Sequence, residues 1–289
     1  MTWVDRLAPV ADDGQVRVAA AVLVLVLVSL VAVPARAYAD DLDVDPKVTL
    51  PIVLIGMSTY AAGELVLKDE ISPSTCRWCA SNRFDDGIRD GLRWDDTNLA
   101  HQLSNLTGFA AAPVVAFGGI ALLGELDDDA GGSFGDDALV ILEAAVITAN
   151  INYVIKAAVG RERPFVHALP AADKPHTKAP SDNNLSFYSG HSAWSMSLAV
   201  SAGTVASIRG YDWAPALWAG GVGVSLATGY LRIAADKHWA TDVLVGWAAG
   251  AAVGYLVPRL HRRDDPTGAP VIAVGGGPRA PTLNLSFTW

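Results

Sequence analysis

Apolar stretches of helical length, separated by polar inserts, constrain this chain more than any other feature of it. The first, residues 18–33, is unbroken, and six more follow at about 48–66, 106–124, 138–159, 192–208, 214–233 and 239–257. Their Ala, Leu, Val and Gly content, lengths near one bilayer thickness and Gly/Pro or polar breaks predict an all-α fold, an antiparallel bundle of about six core helices. No repeat of solenoid period is present. Polar inserts at 68–105, 125–137 and 165–188 divide the stretches. The chain changes character past residue 263: an apolar run at 271–274, the turn Gly275-Gly276-Gly277-Pro278, then alternating Leu283, Leu285, Phe287 and Trp289 predict a short C-terminal β-hairpin tail.

At the amino end Arg6 and Arg17 precede the first apolar run, and the small residues Ala37 and Ala39 bracket Tyr38. That layout predicts a signal peptide over 1–39, or an anchor helix if it is retained. The expected division is then 40–105 for an N-terminal helix and Cys-containing insert, 106–263 for a helical core and 264–289 for the tail. Composition narrows the partners. A chain 51% apolar cannot be disordered, and a net charge of −9 offers no overall positive field for nucleic acid. Any anion site must be local.

Three segments hold the cations and histidines that apolar helices avoid. From 156 to 178, five cations (Lys156, Arg161, Arg163, Lys174, Lys178) face two acids (Glu162, Asp173), a local anion trap in an acidic chain. Alone, this would equally suit a positive flank that anchors a helix end at a membrane interface. Ser189-Gly190-His191 opens the next helix: Ser189 is a natural N-cap, Gly190 allows close backbone approach, and the free amides of a helix start favour phosphate. At the third, His238 and Asp242 stand four apart at a helix start, so the carboxylate can fix the tautomer of the imidazole and leave its other nitrogen as nucleophile. An antiparallel bundle brings all three helix termini to one end.

Together these residues resemble the three signatures of the type 2 phosphatidic acid phosphatase and vanadium haloperoxidase superfamily. Lys156 to Pro164 matches K-x6-R-P, Ser189-Gly190-His191 the core of P-S-G-H, and Arg232 to Asp242 matches R-x5-H-x3-D, over about residues 100–257. Tyr188 stands where the second signature has proline, and Leu231 where a serine usually precedes the arginine. The resemblance implies an acid phosphatase/haloperoxidase-like helical fold. It also implies that Lys156, Arg163 and Arg232 hold phosphoryl oxygens, with the Ser189 hydroxyl and Gly190 amide completing the cradle. His238 would attack phosphorus, Asp242 would orient it, and His191 would serve as acid and then base. No metal and no other cofactor is implied; vanadate would enter only in a haloperoxidase.

The resulting expectation is a phosphatase acting on a lipid phosphate such as phosphatidate, an isoprenyl pyrophosphate or a lipid-A phosphate. A soluble periplasmic acid phosphatase, a vanadate-dependent haloperoxidase and a non-enzymatic envelope protein are the alternatives. Cys76 and Cys79 lack a second Cys/His pair at metal spacing and are expected to form a short disulfide in an oxidising compartment. Counting spans creates a conflict. A cleaved signal followed by six spans would put Lys156 in the cytoplasm, whereas the cysteines and the basic residues after the last helix favour a site on the exported side of a bacterial-type envelope.

Overall fold

The computed structural model describes residues 42–127 and 133–263, together with the backbone of two strands at 271–275 and 282–286. The expected signal peptide or anchor, 1–39, lies outside the described residues. Among the described residues seven helices carry the architecture: α1 (Pro46–Ile71), α2 (Arg83–Leu92), α3 (Thr97–Leu126), α4 (Phe134–Val159), α5 (Gly190–Ile208), α6 (Ala214–Ala234) and α7 (Ala240–Leu260). Six are the long helices expected from the apolar stretches, and the all-α bundle is the observed class.

Two boundaries differ from expectation. The core does not begin at residue 106, because α3 starts at Thr97 with Asp96 accepting the Leu99 amide at 2.9 Å as N-cap. The first turns of α3 are polar, so hydropathy alone cuts them off. The insert also holds α2, capped by Asn82 and too polar to register as an apolar stretch. Pro113, which lacks an amide proton, sits between the π-helical segments Thr107–Ala111 and Val114–Gly118 that keep α3 continuous.

The bundle is built around α5. Most of its residues are buried, and it packs on α4, α6 and α7. Its many hydroxyls find partners: Ser195 Oγ lies 2.9 Å from Ser225 Oγ, and Thr148 Oγ1 donates to Ser197 Oγ at 3.0 Å. Small side chains let α7 approach closely, since a Cβ at Gly250 would overlap the Ala193 carbonyl of α5. The outer surface is unlike that of a soluble bundle. Along α1 Ile55, Leu65 and Val66 are 64%, 83% and 72% exposed, and Leu122, Val154 and Leu256 present further large apolar side chains. Four helices, α1, α3, α4 and α7, are long and apolar enough to cross a membrane. These features are those of a membrane protein.

The tail forms the expected hairpin: β1 (Val271–Gly275) pairs antiparallel with β2 (Thr282–Ser286), with Val271 opposite Ser286 and Gly275 opposite Thr282.

Candidate active site

One end of the bundle gathers the C-terminal ends of α1, α4 and α6 with the N-terminal ends of α3, α5 and α7. Between them lies a cavity of about 890 Å³. Lys156, Arg163, Gly190, His191, Arg232 and His238 all line it. Six of the eight residues proposed from sequence for catalysis or phosphate binding therefore line one cavity, and the other two, Ser189 and Asp242, are buried outside its lining.

The first segment is shaped by the end of α4. Gly160 takes the left-handed conformation, φ 61, and its amide caps the Lys156 carbonyl at 3.0 Å, turning the chain sharply after the helix. Arg77 Nη1 satisfies the Ala157 and Ala158 carbonyls at 3.0 and 2.8 Å. Beyond the turn Arg163 is fixed by donating from Nε to the Asp182 carbonyl (2.7 Å) and from Nη1 to the Lys237 carbonyl (3.1 Å).

The second segment is the start of α5. A Cβ on Gly190 would stand 2.8 Å from Asn152 Oδ1 and 3.2 Å from Lys156 Nζ, so only glycine lets the helix start approach Lys156 this closely. Ser189 is the N-cap, but its hydroxyl does not reach the cavity: it is fully buried and bonded to Ser192 Oγ at 2.9 Å. The expected hydroxyl contact with phosphate is thus replaced by capping. His191 Nε2 lies 2.8 Å from Asn105 Oδ1, and its ring packs at 4.5 Å on Phe109.

The third segment joins α6 to α7. Arg232 Nη1 donates to His101 Nδ1 at 3.0 Å and to Ser104 Oγ at 3.1 Å. Because a guanidinium only donates, the His101 proton resides on Nε2. His238 Nδ1 lies 2.8 Å from the Ser186 carbonyl, an acceptor only, so Nδ1 carries the proton and Nε2 keeps its lone pair. This corrects the expected partner. Asp242 Oδ2 is 3.7 Å from Nδ1 and instead accepts from Ser186 Oγ (2.5 Å) and the Trp239 amide (3.0 Å), while Oδ1 accepts from Arg161 (2.5 Å). The carboxylate holds the residues that hold the imidazole.

Charge in the cavity is predominantly positive. Lys156, Arg163, Arg232 and Lys237 face two carboxylates, Glu64 and Asp182, which pair with Lys68 at 2.8 and 2.9 Å. Burial, reinforced by Arg163, Arg232 and Lys156, depresses the His238 pKa well below that of a free imidazole. Burial and the neighbouring arginines also bring Lys237 down to about 8. Asp182 goes the other way despite its burial: Arg163, Lys68 and Lys156 hold it at about 2. Met57, Leu142, Val146, Phe109 and Trp194 add apolar side chains to the lining.

Several of these residues were not singled out from sequence. His101, Ser104 and Asn105 stand on α3 at helical spacing, a polar stripe readable as one face of a helix had the helix been started at Thr97. Ser186 contributes a backbone atom, which no side-chain pattern signals. Asn152 donates to the Tyr188 carbonyl at 2.8 Å and so holds the approach to Ser189. Cys76 and Cys79 are disulfide-bonded, in the loop at this end of the molecule.

Residues 137–265 match the model of the PAP2 superfamily, a span that begins within α4 and contains all three signatures. The helical core carrying this cavity is similar to that superfamily over this span, which is less than half of the chain. Among curated proteins the chain is similar to phospholipid phosphatase 1 of Rattus norvegicus, 43% identical over 82 residues that cover 26% of this chain and 29% of the relative. The Mus musculus phospholipid phosphatase 1 is 42% identical over 82 residues, with the same coverage. The chain thus spans less than a third of the length of these relatives. A solved structure, the first transmembrane PAP2 type phosphatidylglycerolphosphate phosphatase from Bacillus subtilis, aligns over 73% of this chain and 94% of its own at 17% identity, with a TM-score of 0.44.

Proposed function

We propose that this chain is a lipid phosphate phosphatase that works without a metal ion and through a phosphohistidine. The observation that carries the reading is the convergence, on one cavity that also has apolar lining, of three cations, an α5 helix start and two imidazoles, in a chain with four helices apolar enough to cross a membrane. Phosphoryl transfer needs chiefly positioning and compensation of charge on the equatorial oxygens, which Lys156, Arg163, Arg232 and the Gly190 amide would supply. His238 Nε2, unprotonated and facing these cations, attacks phosphorus. The bond from phosphorus to the leaving oxygen breaks, and His191 protonates that oxygen. Water, losing a proton to His191, then attacks phosphorus, the phosphorus–nitrogen bond breaks, and inorganic phosphate leaves. The apolar lining suits a hydrocarbon chain beside the phosphate, which favours phosphatidate or an isoprenyl pyrophosphate over a small soluble ester.

The site is proposed to face the exported side. The Cys76–Cys79 disulfide lies in the loops at the cavity end, where an oxidising compartment would form it, and Arg259 and Arg262 lie at the opposite end.

The experiment is phosphate release from a lipid phosphomonoester by the detergent-purified chain in excess chelator. Sustained turnover that His238→Ala abolishes supports the proposal. Turnover that requires an added divalent ion, or survives His238→Ala, would contradict it, and halide oxidation with added vanadate would move the assignment to a haloperoxidase.

A further inference from the structure

His238 sits on the short turn between α6 and α7, and this turn contains a backbone conformation that a non-glycine residue adopts reluctantly. Asp236 has φ 57, in the left-handed region where Cβ crowds the following carbonyl. Such a conformation persists only where its surroundings enforce it. The enforcing element is α2. Its apolar face, Phe84, Ile88 and Leu92, packs on Ile233, Ala240 and Val243, on both sides of the turn.

Two polar side chains of α2, one helical turn apart, grip the turn from either end. Arg89 donates from Nε to Asp236 Oδ1 at 2.6 Å and from Nη2 to Asp236 Oδ2 at 2.7 Å, a bidentate pair two residues before His238. Asp85, fully buried, accepts from the Thr241 amide at 2.9 Å and the Thr241 hydroxyl at 2.8 Å, three residues after His238. Asp85 also accepts from Arg161 Nη2 at 2.7 Å, and Arg161, sandwiched between the Trp78 and Trp239 rings, passes the constraint to Asp242. Asp242 in turn fixes Ser186, whose carbonyl sets the His238 tautomer. Neither Asp85 nor Arg89 lines the cavity, so neither touches substrate.

We propose that α2 is a positioning element for the His238 imidazole, with Asp85 and Arg89 as its positioning residues. Its catalytic consequence rests on the phosphatase reading above; its mechanical content does not. The phosphate cradle is set mainly by α4, α5 and α6, with only the Lys237 carbonyl that holds Arg163 drawn from the turn, so loss of the grip should misplace the nucleophile far more than it weakens ground-state binding.

The test uses the full chain in detergent with Arg89→Ala, Asp85→Asn and, as conservative variant, Arg89→Lys. Two readouts are taken: steady-state kinetics on a lipid phosphomonoester and backbone amide hydrogen exchange. The expected result for Arg89→Ala and Asp85→Asn is a kcat lowered roughly 10- to 100-fold, as a misplacement of the order of an ångström produces. KM and inhibition by a non-hydrolysable lipid phosphonate should change by less than about threefold. Exchange at residues 235–239 should rise by about tenfold or more while the amides of α5 keep their protection. Arg89→Lys should recover part of kcat. Unchanged exchange at 235–239 in both variants, or an unchanged kcat where exchange has risen, would overturn the proposal, as would a loss expressed wholly in KM. A wild-type chain inactive on every phosphate ester would overturn the phosphatase reading instead, and the exchange measurement would still decide whether α2 holds the turn.

Discussion

His238 shows how a buried imidazole can be made ready by its surroundings. The cations that lower its pKa are those that would hold the phosphate, so assembling the cradle also keeps the proposed nucleophile unprotonated. Since protonation removes the lone pair, activity must fall as pH drops through the folded-state pKa, which lies below the ordinary value of 6.5. A pH profile of kcat/KM should therefore show its acid limb below pH 6.5, not at it. The same shift bears on stability. The unfolded chain takes up this proton at a higher pH than the folded one, so His238 contributes a loss of stability as pH falls below the unfolded value.

Gly190 and Arg161 test two other local arguments. A methyl at Gly190 would push Asn152 off the Tyr188 carbonyl and crowd Lys156, so Gly190→Ala should lower kcat/KM by about tenfold or more while leaving the chain folded. Arg161 has two buried carboxylates as partners, and Arg161→Met strands both. A loss of about 3–5 kcal/mol, read as a fall in thermal midpoint, is expected. The catalytic and phosphate-binding candidates were legible because each sits in a compact local pattern: Lys156 and Arg163 after one helix, His238 and Asp242 before another. What the pattern misjudged was the contact each side chain makes. Spacing brings His238 and Asp242 to the same helix start, but Trp239, Ser186 and Arg161 compete for that carboxylate and win it.

At the level of elements, apolar length locates a helix and polar residues determine where it begins. α3 is the clear case: its core-facing apolar run starts near Leu106, yet the helix starts at Thr97, and His101, Ser104 and Asn105 occupy the difference. α2 escaped notice for a related reason, since in a ten-residue helix with charged residues on one face only Phe84, Ile88 and Leu92 are left to pack. The pairing of α5 with α7 depends on small residues. Gly250→Ala would force a Cβ into the Ala193 carbonyl, and the rigid backbone on both sides leaves little room to relax. A destabilisation of about 1–3 kcal/mol is expected, visible as a lower thermal midpoint in detergent and, because α5 and α7 both open onto the cavity, as reduced turnover.

Across the described residues, a hydrophobic exterior and a cationic cavity at one end suit the proposed lipid phosphate, reached from within or beside a bilayer. The exposed apolar side chains of α1, α3, α4 and α7 should keep the chain in the membrane fraction through an alkaline wash; release into the supernatant would contradict the membrane assignment. Transport of the site to the exported side predicts that an impermeant thiol reagent, applied to intact cells after mild reduction, labels Cys76 and Cys79. Labelling only after cell disruption would place the cavity in the cytoplasm. The catalytic account itself is best judged by trapping the covalent species. Brief exposure to a lipid monoester labelled on phosphorus, followed by denaturation, should leave an acid-labile, base-stable phosphoramidate on His238 and none on the His238→Ala chain. Turnover with no phosphorylated histidine in rapid-quench samples, or a label carried by another residue, would show that these imidazoles do not act as described.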